Sequence, residues 1–165
     1  MVLATHLITG AALGQVISNP ALAFLSGFLS HFLLDAVPHW DYPLRTHKFD
    51  PENPLDPRMA INRDFVFDLA KIFLDLLLGL LVLLFAVNFL AWQLNSAVIW
   101  GLIGAVLPDF LQFAYFKLEW PVLKLLQKFH VWIHTDWRLN KRMILGPFLQ
   151  ILLIALVFVI LTLWI

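Results

Sequence analysis

Long apolar runs separated by short polar turns divide the chain into five segments that predict helices: residues 2–17, 21–37, 69–94, 97–116 and 143–165. Ser18-Asn19-Pro20 turns between the first two, and Asn95-Ser96 between the third and fourth. Residues 76–94 carry no charge, and neither does the last segment. A membrane-crossing helix needs ~20 apolar residues, so the last three segments are long enough. The first two are short by that measure and read as a tilted or locally thinned hairpin. Between the fourth and fifth, Val122, Leu125, Leu126, Phe129 and Trp132 recur at spacings of three and four. That period predicts an amphipathic helix lying in the membrane interface. The expected fold is all-α: a polytopic membrane helix bundle of about five transmembrane segments plus one interfacial helix, forming a single domain over 1–165.

Composition agrees with the pattern. The chain is 61% hydrophobic and 13% charged, with a mean hydropathy of +0.84, too apolar for a soluble domain of this length. Its formal net charge of zero creates no field for nucleic acid, so membrane lipid is the expected partner. With no cysteine there is neither a disulfide nor a thiolate metal ligand. The first segment lacks a basic n-region and a small-residue cleavage site, so it reads as retained. All eleven Lys and Arg fall within 45–71 or 117–142. Five spans put both stretches on one side, and the positive-inside rule makes that side cytoplasmic. The expected location is therefore the cell membrane, multi-pass, with the N-terminus inside and the C-terminus outside. Residues 38–63 become a Pro-rich cytoplasmic loop, either an ordered cap or a flexible connector. Residues 117–142 become a basic cytoplasmic loop carrying the amphipathic helix.

Candidate chemistry collects where the second segment ends. His31 and Asp35 are four apart and share a helix face. Pro38 should stop the helix. Beyond it, His39 and Asp41 are two apart, which in an extended stretch points both the same way. Four donors then converge past a helix end, and imidazole with carboxylate is the ligand set of zinc, manganese or iron. Mirroring the hairpin about Asn19 sets His6 level with His31, with Gly10, Gly14, Ser26, Gly27 and Ser30 letting the two backbones approach. Counting rise along the helices brings Asp75 and Asp109 to the same layer, with a kink at Pro108 turning Asp109 inward.

Asp64, Asp68, Lys71 and Asp75 form a polar stripe running into the bilayer. For Asp64 and Asp68 the plain reading is charge that pairs with Lys71 or reaches the interface. Asp75, a turn deeper, stands between that reading and a functional one, because intramembrane acids usually face a bundle interior. His130 and His134, followed by Asp136, are spaced to bind one metal from one helix face, as in the HExxH proteases, but without that motif's glutamate. The plain reading of the pair is a headgroup-level helix with incidental histidines. For His31, Asp35 and His39 it is a buried polar network holding the hairpin. His47 has no evident partner.

Thr5-His6, Ser30-His31 with Asp35, Leu107-Pro108-Asp109 and His130-xxx-His134 together resemble the bacterial membrane-bound metal-dependent hydrolases. That family carries GHL, LPD, HRxxTHS and SHxxxD elements and is related in outline to the zinc phospholipases C. In this chain the SH element precedes the LPD element. The resemblance implies a hydrolase with one or two divalent transition-metal ions, zinc first. His6, His31, Asp35, His39, Asp109, His130 and His134 are the ligand candidates. Asp41 or Asp109 would accept a proton, Asp68, Lys71 and Asp75 would support the polar layer, and Arg138, Lys141 and Arg142 would hold a phosphate. Headgroup depth suggests a phosphoester or acyl bond of a lipid or lipid-linked substrate. The competing expectations are a divalent-metal or proton transporter, and a non-catalytic membrane module with a structural metal or polar cluster.

Overall fold

Asparagine side chains open three of the helices. Asn19 Oδ1 accepts from Ala21 and Leu22 N–H at the start of α2 (Pro20–Asp35), with Pro20 in the first turn where its missing donor costs nothing. Asn62 caps α3 (Arg63–Phe89) and Asn95 caps α4 (Ser96–Leu118). The remaining helices are α1 (Leu3–Val16), α5 (Pro121–Ile133) and α6 (Leu145–Trp164). The computed structural model describes residues 1–46, 55, 59–135, 137 and 139–164, apart from the side chains of Thr162 and Trp164, and among these there are six helices and no strand.

Among the described residues, two helices, α3 and α4, are long and apolar enough to cross a membrane. The sequence pattern suggests about five such segments. The difference lies in where the helices stop: Asn19 and Asp35 bound α2, α1 has 14 residues, and α6 is apolar but short over its described side chains.

The centre of the bundle is α4, against which both α1 and α2 pack. The contact is backbone to backbone. A Cβ on Gly27 would lie 2.1 Å from the Gly101 carbonyl oxygen, and one on Gly101 would lie 2.3 Å from that of Gly10. The small residues of the first two segments were expected to pack the hairpin's own seam. Gly10, Gly14 and Gly27 instead receive α4, whose Gly101 and Gly104 match them. Leu7, Ile8 and Ala11 of α1 build the apolar core with Leu83 and Ala86 of α3 and Val98 of α4.

On α5 the usual polarity of a helix is reversed. Gln127 and His130 are buried at 3% exposure each, while Val122 and Trp132 are 81% and 77% exposed. The predicted apolar stripe therefore exists and faces away from the protein. On α2, Leu22, Leu25, Leu29 and Leu33 form a second outward apolar stripe.

The start of the Pro-rich loop is an ordered cap. Asp68 accepts from the backbone N–H groups of Arg45 and Thr46 and from the Thr46 hydroxyl, all within 2.8–2.9 Å. Lys71 donates to the Pro43 carbonyl. His47 and the prolines at 51, 54 and 57 lie outside the described residues.

Candidate metal centre

Four helices and one extended segment meet at a single end of the bundle. α1 brings His6; the last turns of α2 bring His31 and Asp35; α4 brings Asp109, next to Pro108; α5 brings His130 in its last turn and His134 just after it. His39 and Asp41 follow α2 in chain order. The segment after α5 is stitched along the segment after α2. Thr135 N–H donates to the Asp35 carbonyl at 2.9 Å, Leu139 N–H to the His39 carbonyl at 2.8 Å, and Asp41 N–H to Asn140 Oδ1 at 2.9 Å. This pairing carries His134 to His39, whose rings lie 4.8 Å apart.

Asp35 is the hub. Its Oδ2 is 3.0 Å from His130 Nε2 and 3.2 Å from His31 Nε2. Its Oδ1 is 3.2 Å from His6 Nε2 and 3.9 Å from His39 Nε2. Asp41 Oδ2 lies 3.1 Å from His39 Nε2 and 3.7 Å from His134 Nε2. Asp109 Oδ1 is 3.7 Å from His31 Nε2. The rings of His6 and His31 stack at 4.0 Å, the common level that the hairpin register predicts.

Three of these rings have a fixed orientation. His31 Nδ1 sits 2.8 Å from the Ala105 carbonyl, His39 Nδ1 2.7 Å from that of Val37, and His134 Nδ1 3.1 Å from that of Thr135. A carbonyl only accepts, so each Nδ1 carries the proton and each neutral ring presents a bare Nε2. Those bare nitrogens face carboxylate oxygens, and His31 Nε2 also faces His130 Nε2 at 3.4 Å. Lone pairs turned on one another need a cation between them: a second proton on each ring, or a metal. Anchoring of the far nitrogen by a backbone carbonyl is how metal-binding histidines are usually held.

One cation already lies among these carboxylates. The Met1 amino group lies 2.7 Å from Asp35 Oδ1 and 3.0 Å from Asp41 Oδ1. Burial disfavours its charge, but Asp35, Asp41 and Asp109 outweigh burial and hold it protonated above the ordinary range. Burial likewise disfavours the Asp41 carboxylate, yet the facing His39 ring and the Met1 ammonium hold it well below the usual range. Among the described residues, the fully buried His6 ring makes no well-aligned hydrogen bond, its Nε2 having only the 3.2 Å approach to Asp35 Oδ1. Among the described residues, three sets of ligand atoms are close enough to hold a metal ion: His6, His31 and Asp35; His31, Asp109 and His130; and Asp35, His39 and His134.

His130 and His134 do not share one set, although their spacing suggests it. His130 joins His31 and Asp109, while His134 leaves the helix at its cap and joins His39. Asp75 stands apart from the cluster, accepting from Leu3 and Ala4 N–H at 2.7 and 3.1 Å as the anion at the open start of α1. Asp68 and Lys71 pair at 3.6 Å and hold the loop, as the plain reading of the stripe has it. Lys141 and Arg142 are exposed on the turn after the stitched segment. Arg138 and Asp136 lie outside the described residues. Gln150 escapes sequence reasoning altogether: its Oε1 accepts from Val2 N–H and the Thr5 hydroxyl, and its Nε2 donates to the Trp40 carbonyl. One amide in an uncharged segment was the only signal for it.

No known family, curated protein or solved structure matches the chain.

Proposed function

We propose that the protein is a metal-dependent hydrolase held in a membrane, cleaving a phosphoester or acyl bond of a lipid or lipid-linked substrate at the cytoplasmic face. The observation that carries this reading is the set of histidine Nε2 atoms turned on Asp35 and Asp41, with the opposite ring nitrogens engaged by backbone carbonyls. Zinc, in one or two ions, is the metal this donor set suits first. His6, His31, Asp109 and His130 would hold one ion, His39 and His134 the other, with Asp35 shared because its two oxygens face different histidines. A divalent ion there would lower the pKa of water and polarise the scissile phosphoryl or acyl oxygen.

The remaining roles follow from exposure. Asp35 is sealed in and engaged at both oxygens, so it holds position. The Asp41 and Asp109 side chains stay partly open, 27% and 34% exposed, and whichever of them is not a ligand would take the proton released by the attacking water. Lys141 and Arg142, with Arg138, would hold a substrate phosphate. The same chemistry follows from the resemblance to the membrane-bound metal-dependent hydrolases.

The membrane setting is supported by two helices of sufficient length and by the outward apolar stripes of α2 and α5. The proposed topology has about five segments, the basic stretches cytoplasmic, the N-terminus inside and the C-terminus outside. A transport path would need polar groups toward the opposite end. There, Gln15 and the Gln93 backbone satisfy each other.

The test is metal content by mass spectrometry of detergent-purified protein, wild type beside His31→Ala and Asp35→Ala. We expect one or two transition-metal ions per chain in the wild type and sharply less in both variants, after which phosphoester lipids are screened with that metal. A wild type without metal, even after incubation with zinc or manganese, overturns the proposal. A bound metal with no hydrolysis, whose removal lowers thermal stability, would leave a structural centre.

A further inference from the structure

Helices α3 and α6 both pack on α1, and among the described residues no Cα of one comes within 8 Å of a Cα of the other. The gap between them is a cleft of about 430 Å³, within the ~300–1,000 Å³ range of small-molecule sites. Leu74 and Leu78 of α3 form one wall, and Ile151 and Ile154 of α6 the other. One end of the cleft is polar, with Lys71, Asp75 and Tyr42.

The floor of this cleft is also the wall of the histidine–aspartate cluster. Val2 and Thr5 line the cleft, and they adjoin Met1 and His6; Trp40 and Tyr42 line it too, and they flank Asp41. Gln150 clamps this partition, bonded to Val2 at 3.1 Å, Thr5 at 3.2 Å and Trp40 at 2.7 Å. The cleft and the cluster are therefore separated by a single layer of chain.

We infer that this cleft takes the acyl chain of a membrane phospholipid, with Lys71 facing the phosphate. The inference rests on the proposed reading of the cluster as a lipid-cleaving centre and adds the place where the lipid is held. An acyl chain needs no hydrogen bonds, and the apolar walls offer none. A peptide lying there would leave its backbone groups unsatisfied, at a cost. The outer faces of both walls are exposed apolar surface, including Leu74, Leu78 and Ile151, so the cleft opens where lipid tails would be. At the polar end, the Asp75 carboxylate is turned to the open start of α1. Lys71, partly exposed, is the cation lining this end; its ammonium donates to the Pro43 carbonyl and pairs with Asp68 at 3.6 Å, which leaves one of its three N–H groups for a phosphate.

The test uses the full chain in lipid nanodiscs containing a phospholipid with a diazirine near the end of one acyl chain. After photolysis, the labelled residues are mapped by mass spectrometry, and metal content is measured on the same preparation. We expect label to concentrate on Leu74, Leu78, Ile151 and Ile154 over the equally exposed Leu22, Leu25 and Leu29 of α2. Ile154→Trp, or Leu78→Trp if the first variant does not fold, fills the cleft and should lose that label while keeping its metal. A neutral diacylglycerol with the same diazirine should label the cleft less than the phospholipid does, and Lys71→Gln should erase the difference. Equal labelling of α2 and the cleft means ordinary lipid contact and overturns the inference; if metal is still bound, the hydrolase reading survives. A labelled cleft in a protein that binds no metal sinks the hydrolase reading and keeps the lipid site.

Discussion

The seam of α1, α2 and α4 and the cluster at the end of the same helices are built on opposite principles. In the seam, glycines meet backbone, and a single added methyl group would overlap a carbonyl oxygen. In the cluster, bulky polar rings meet around the buried Asp35 and the partly open Asp41, with Phe32 packed edge-on against His31 and His130. The seam sets the separation of the helices without offering chemistry; the cluster offers chemistry but cannot set the separation. Close approach at Gly10, Gly27 and Gly101 is what lets short His and Asp side chains from three helices reach one another. Substitutions should therefore act differently in the two regions: in the seam they cost the fold, and in the cluster they cost the cation.

The largest effect is expected from Gly101→Leu. Its Cβ would lie 2.3 Å from the Gly10 carbonyl oxygen, with backbone rather than a flexible side chain in the way. Overpacking of this kind costs ~3 kcal/mol or more, and the variant should aggregate or lose its thermal transition in detergent. A variant that melts like wild type would break the distinction between the two regions.

Asp35→Asn keeps the shape of the hub and removes its charge. Metal affinity should fall at least ~10-fold, the lower end of what supporting groups alone contribute. Folding in detergent should survive, as judged by helical circular dichroism and a single elution peak. Retained metal in this variant would mean that Asp35 is no ligand.

His134→Ala and His130→Ala sharpen the picture within the cluster. If Asp35 is shared between two ions, each variant loses one of two: His130→Ala, like His31→Ala, the ion held by His31 and His130, and His134→Ala the ion held by His39 and His134. Complete loss of metal in His134→Ala would point to a single ion instead.

The smallest effect belongs to Asp75→Asn. This carboxylate supports the start of α1 and does not touch the cluster. Thermal stability should drop by ~1 kcal/mol, the usual worth of an anion at a helix start, with metal content unchanged. A fall in metal content would assign Asp75 to the cluster after all.

Much of this architecture was readable from local pattern. Asn19-Pro20 and Asn95 fall in the turns where α2 and α4 start, the apolar runs mark five helices and the amphipathic period the sixth; only α3 is displaced, from the apolar run at 69–94 to Arg63–Phe89, because Asn62 caps a polar first turn. The α5 stripe was legible because an amphipathic period survives whichever way the helix faces. His31 with Asp35, and His39 with Asp41, were legible because their partners lie within one turn or one extended pair. The hairpin register was enough to bring His6 level with His31.

What the pattern could not supply was the choice of neighbour between distant elements. A small residue shows that something comes close without saying which helix, so Gly10 and Gly27 pointed to their own hairpin, while the closest backbone belongs to α4. A pair of histidines four apart shows a shared face, yet α5 ends between them, and the stitched segment carries His134 to a different carboxylate. The Ala105, Val37 and Thr135 carbonyls that orient the rings are backbone atoms, which every residue has and no side chain reports. The sequence alone therefore determined the helices, their polarity and the kinds of ligand available. Only the tertiary structure decided which ligands meet, because that depends on long-range packing of glycine-bearing surfaces whose partners local periodicity does not encode.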